Sequence, residues 1–219
     1  MSTRGAVRVG GSEPASYLLM IHIPLVVTAA LIPLAGYPLL YLPIHVVWLE
    51  LIIHPSALLA FQDLPAAGRL APLEQAASAA FFSAREWKRI ALVGGLLTLL
   101  VVAGYGASLG TGGSVEHARA MVLVVLCLAS AIVTALLSRL RTRAAWSVSL
   151  AAVAAAVVLV QVPPFAFRLH LAPLHAGDWG LAAAGALAAC LPLLLRTAPR
   201  ARDPVSGSRR RPAGGSRLR

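Results

Sequence analysis

The stretch that decides the fold runs from Pro43 to Phe61 and reads PIHVVWLELIIHPSALLAF. As a helix it is long and apolar enough to cross a hydrocarbon core about 30 Å thick. It lacks strict alternation and is about twice the length of a barrel strand, so a helix is expected rather than a β-barrel. Near its middle stand one carboxylate, Glu50, and one imidazole, His54. An acid at the centre of a membrane span costs about 2.5–3.5 kcal/mol on insertion scales, so such groups face protein and serve ions or protons. Four residues make about one helical turn, which puts Glu50 and His54 on one face.

Five other runs of this kind flank the first: Tyr17–Gly36, Ile90–Leu109, Ala118–Leu137, Ala145–Val162 and Trp179–Leu195. The expected fold is an all-α membrane protein with six transmembrane helices. Composition agrees, since 58% of the 219 residues are hydrophobic and 12% charged, which excludes an ordinary soluble domain. Arg4 and Arg8 precede the first run, but that run is too long for a signal-peptide core and reads as an uncleaved span.

The net charge of +11 is almost all arginine, with Lys88 the one lysine. In a soluble protein it would point to nucleic acid. Here the cations stand between apolar runs, so they read as topology determinants and no nucleic-acid partner is expected. With the N-terminus in the cytoplasm, only Arg119 and Arg168 of the 19 Lys and Arg fall outside. The positive-inside rule therefore predicts that both termini are cytoplasmic. The lipid bilayer is the expected environment, with the protein multi-pass in a cell membrane of the bacterial inner type. Trp87 and Trp146 on the inner side, and Tyr37, Tyr41 and Trp179 on the outer, fit an aromatic belt.

Residues 1–16 and 196–219 are rich in Gly, Ser, Pro and Arg and are expected to be disordered, leaving 17–195 as the membrane domain. Gly94, Gly95, Gly104, Gly106 and Gly185 mark places where helices can approach closely. Cys127 and Cys190 read as buried thiols.

Prolines inside the runs free backbone carbonyls. Pro55 has no N–H, so the Leu51 carbonyl loses its helical donor directly beside His54 and Glu50. Pro24 does the same to Met20, close to a third polar group at depth, His22. A locally unwound helix lined by a carboxylate, imidazoles and bare carbonyls suits an intramembrane cation site. The candidate ligands are Glu50, His54 and His22, with the Leu51 carbonyl. His45, nearer the outer boundary, needs no special role. The aspartates Asp63, Asp178 and Asp203 are not followed by Lys-Thr, and no Gly-Lys-Ser/Thr loop exists. No ATP chemistry, catalytic residue or cofactor is expected from these residues, beyond a transported cation of unknown identity.

The ordered motifs Tyr17-Leu-Leu, His22-Ile-Pro24, Leu42-Pro-Ile-His-Val-Val-Trp48 and Glu50–Phe61 resemble the fifth and sixth membrane helices of cation-transporting P-type ATPases of the calcium-pump class. Phe81-Phe-Ser-Ala-Arg-Glu-Trp87 and Ala118-Arg-Ala-Met121 resemble the starts of the seventh and eighth. Val162-Pro-Pro-Phe165, Leu171-Ala-Pro-Leu174 and Trp179 resemble the link from the ninth to the tenth. The resemblance implies the family's C-terminal six-helix domain. Its fifth-helix ligand positions fall on His22 and Leu25, and its sixth-helix positions on Glu50 and His54.

The eighth-helix glutamate has no counterpart in Ala118–Leu137. A hard calcium ion wants several oxygens, so a borderline metal or protons suit this set better. Before Tyr17, Gly10-Gly-Ser-Glu-Pro14 does not read as the family's helical stalk. The expectation is thus a truncated or split pump, not an enzyme on its own, working with a separately encoded P-type ATPase catalytic portion. Two alternatives stand beside it: a non-transporting membrane assembly protein that keeps the fold, and a small proton-coupled carrier using Glu50.

Overall fold

The computed structural model describes residues 13–61 and 82–197. Segments 1–12 and 198–219, and Arg69 with Phe81 in the connection 62–81, lie outside them. The described residues form seven helices and no strand: α1 (Glu13–Leu34), α2 (Pro43–Phe61), α3 (Ala84–Gly110), α4 (Val115–Ser138), α5 (Arg143–Gln161), α6 (Pro163–Arg168) and α7 (Ala176–Thr197). All but α6 are long and apolar enough to cross a membrane. The protein is an all-helical, multi-pass membrane protein.

Helix ends follow local chemistry more than the limits of the apolar runs. α1 reaches back to Glu13, the first described residue and ahead of the run, and takes in Pro14. It stops in a Schellman turn: Tyr37 N–H reaches Ile32 O at 3.2 Å and Gly36 N–H reaches Pro33 O at 3.0 Å. Gly36 takes the φ of +81° that this turn demands. α3 begins well before Ile90, at a capping box in which Ser83 N–H donates to Glu86 Oε2 (2.7 Å) and Glu86 N–H to Ser83 Oγ (3.3 Å). Removing such a cap costs about 1 kcal/mol. Side-chain oxygens of Ser114 and Thr142 cap α4 and α5 in the same way. Pro163 and Pro164 open the short α6, where the sequence suggested only a link.

α4 is the centre of the bundle and packs against each of the other five spans. Two-thirds of its apolar window is buried, against less than half for every other span. Around it, α5–α2–α1–α3–α7 form an open ring, with α4 between the two ends. Tyr17 of α1 ties the ring to the centre through its hydroxyl, 2.7 Å from Ser130 Oγ of α4 in a buried bond. Close approaches use glycine where a Cβ would collide. A methyl on Gly94 would stand 3.3 Å from Ile23 of α1, and one on Gly185 would stand 3.0 Å from Leu100 of α3. Gly95 and Gly104, also expected at contacts, face open space.

Candidate cation site

α1 and α2 run side by side, joined by residues 35–42. On α1 the residues Tyr17, Met20, Ile21, Pro24, Leu25, Thr28 and Ile32 turn inward, a helical repeat that leaves His22 on a different face. On α2, Leu49, Ile53 and Ser56 turn inward, and Glu50 and His54 fall beside His22.

The three side chains meet. Glu50 Oε2 lies 2.7 Å from His54 Nδ1, and Glu50 Oε1 lies 3.2 Å from His22 Nε2. His22 Nε2 is almost as close to the second oxygen, at 3.3 Å, so it faces the middle of the carboxylate. The two rings stand edge to face, 5.7 Å between centroids. One donor atom from each residue fits within a span of 4.8 Å, a spacing able to hold a metal ion. The cluster opens sideways: His22 and Glu50 are 28% and 31% exposed, and His54 57%.

The partner of the other His22 nitrogen fixes the chemistry. Nδ1 lies 2.9 Å from Leu18 O, one turn earlier. A carbonyl can only accept, so Nδ1 carries a proton. Nε2 then meets Glu50 either as an imidazolium N–H or as a bare lone pair directed at the same space as the carboxylate oxygens. The first is an ion pair; the second is held either by a proton on the Glu50 carboxyl or by a metal cation between the two ligand atoms. By holding the proton on one ring nitrogen, the carbonyl also fixes which way the other nitrogen points.

Two expectations need correction. α2 is unbroken through Pro55, so the local unwinding expected there is absent. Proline removes a single backbone bond, and neighbouring helices support the turn; Ser56 Oγ–H also donates to Ile52 O at 2.8 Å. No hydrogen bond brings the Leu51 carbonyl into the cluster. His45 does have a role, a structural one. It is 1% exposed, its Nδ1 accepts the Leu42 N–H (3.2 Å), and its Nε2–H donates to Leu169 O (2.6 Å). It staples the start of α2 to the turn after α6.

Other anchors of the 35–42 connection also escaped sequence reasoning. Arg119 donates twice to Leu39 O, at 3.0 and 2.7 Å. Tyr105 O–H donates to Pro38 O at 3.0 Å, and Tyr41 and Thr28 share a hydroxyl bond of 3.0 Å. Burial pushes the Tyr41 phenol well above the usual tyrosine range, an effect its bond to Thr28 partly offsets. His117 and His175 approach Asp178, at 3.6 and 3.5 Å, where α4 meets the start of α7.

Six apolar spans, five of them packed around the sixth, with an acid and two imidazoles between the first two, make up a helical membrane domain. Residues 38–198 match the family described as "Cation transporting ATPase, C-terminus", and the chain belongs to that family, the C-terminal membrane part of P-type ATPases. The match takes in Glu50 and His54, while His22 precedes it. Among curated proteins, none matches the chain.

Proposed function

We propose that this chain is the transport domain of a cation-transporting P-type ATPase, and that His22, Glu50 and His54 supply part of its intramembrane cation site. Phosphorylation and nucleotide binding are supplied from outside residues 13–197, by a catalytic portion that works with this domain as in a split pump. Both termini face the cytoplasm, and the chain resides in a cell membrane of bacterial inner type.

One observation carries the reading: a carboxylate bracketed by two imidazoles opens onto an otherwise apolar outer face. On α2 the neighbours of His54 along that face, Val47, Leu51 and Leu58, are all exposed, as are Val26 and Val27 on α1. Left against lipid, the polar cluster would be costly. Covered by further helices, it becomes the wall of an enclosed site. Helices belonging to the catalytic portion of a pump would supply that cover.

The test is ATP-driven cation uptake into inverted membrane vesicles from cells whose only copy of the chain is wild type or Glu50→Gln. Uptake at least tenfold lower with Glu50→Gln is expected. Equal uptake in the two preparations would refute the assignment of the site.

A further inference from the structure

We infer that His22, Glu50 and His54 chelate a borderline divalent cation, of the Zn2+ or Co2+ class, and that these three residues hold it without a partner chain. The inference rests on the intramembrane-site reading above and narrows it to the class of ion.

Donor type comes first. A hard cation such as Ca2+ takes six to eight oxygens, and this cluster offers the two oxygens of one carboxylate. The other described acids cannot help, because Glu13, Glu86, Glu116 and Asp178 all sit in the first turns of their helices. Two imidazoles and a carboxylate are instead the donor set that intermediate metals prefer.

Spacing comes second. Metal bonds of about 2.0–2.1 Å in a tetrahedron put neighbouring donor atoms about 3.3 Å apart. His22 Nε2 stands 3.2 and 3.3 Å from the two Glu50 oxygens, so this edge is already set. The His54–Glu50 contact, 2.7 Å, is shorter than a coordination edge. It is a hydrogen bond that a metal replaces: the neutral ring changes tautomer, its Nδ1 proton exchanging through water to Nε2, and Nδ1 becomes the ligand atom. His54 is the most exposed of the three and can shift by the few tenths of an ångström required.

Orientation comes third. The Leu18 carbonyl holds the His22 proton on Nδ1 and leaves Nε2 as the ligand atom. Three donors from two helices leave a fourth position toward the exposed side. A resident structural ion would be closed off, whereas a cation that has to leave needs such an opening.

The experiment uses the full chain, without a polyhistidine tag, purified into nanodiscs and titrated with Co2+ while visible absorption is followed. Expected are one tetrahedral Co2+ per chain, its displacement by Zn2+, and no displacement by a hundredfold excess of Ca2+. His22→Gln and Glu50→Gln should each weaken Co2+ binding at least tenfold. His54→Gln, at an exposed position that cannot unfold the bundle, should weaken it less.

Co2+ binding that none of the three substitutions alters would place the metal elsewhere, at the His117–Asp178–His175 cluster for instance, and would overturn the inference. So would binding of Ca2+ in preference to Co2+; if sensitive to Glu50→Gln, that result would leave the cation-site reading standing. Absence of any bound cation would overturn chelation by this chain alone. The pump reading is judged separately, by ATP-driven uptake in vesicles.

Discussion

The α1–α2 hairpin has a connected end, at residues 35–42, and a middle, and the two treat polar groups in opposite ways. At the connected end every polar side chain described above finds its partner within the chain. His45 uses both ring nitrogens on backbone groups, Arg119 grips Leu39 O, Tyr105 caps Pro38 O, and Tyr41 binds Thr28. In the middle, Glu50 and the facing nitrogens of His22 and His54 have only each other, and they open outward. Two histidines of α2, His45 and His54, thus differ: the first is a strut, and the second is left for the ligand role proposed above. The residue type does not decide this. The number of ring nitrogens already committed to the backbone does.

The sharpest way to break the comparison is to exchange the consequences. His45→Ala should destabilise the bundle by about 3 kcal/mol, since it leaves a cavity and strips the Leu42 N–H and Leu169 O of their partner. Glu50→Gln should change stability by no more than about 1 kcal/mol, because its partners are part-exposed and a neutral amide is easier to hold in the bilayer. Reversible unfolding in detergent measures both. Equal losses would mean that the middle is structural too.

Arg119→Ala should cost about 1 kcal/mol through the loss of its paired donors to Leu39 O. Limited proteolysis of the 35–42 connection, faster in the variant, is the sensitive readout.

The smallest effect belongs to Tyr41. Its pKa is raised in the folded state, so its contribution is complete below the ordinary tyrosine value of about 10 and is lost as pH rises from there toward the folded value. Stability of the wild type should therefore fall above about pH 10. Tyr41→Phe should remove that part of the alkaline decline, while leaving stability at neutral pH within about 1 kcal/mol of the wild type.

The six spans were legible because each apolar run is too long and too little alternating for a barrel strand, which leaves the helix as the way to satisfy its backbone across a bilayer. Glu50 and His54 could be paired from spacing alone, since a helix brings residues four apart together. His22 is on another helix: its depth beside Pro24 made it a candidate, but helix spacing could not bring it to Glu50, and only the resemblance to the pump family put it at a matching position. His45 could not be read: its partner is a backbone carbonyl 124 residues away, and a carbonyl leaves no trace in a sequence. The reading of Pro55 failed for a related reason. A lost backbone bond is visible in the sequence, but the packing that keeps the helix straight despite it is not. α6 was missed because Pro163-Pro164 reads as a link, although prolines are well suited to opening a helix.

The central place of α4 also bears on how the protein is made. Synthesis delivers α1, α2 and α3 to the membrane first, and all three lean on a helix that does not yet exist. Until the fourth segment leaves the ribosome, the Tyr17 hydroxyl has no Ser130 to bind and the hairpin has no floor. The nascent chain must therefore wait half-assembled, and a protein cut short after α3 would be a substrate for quality control rather than a smaller version of the fold.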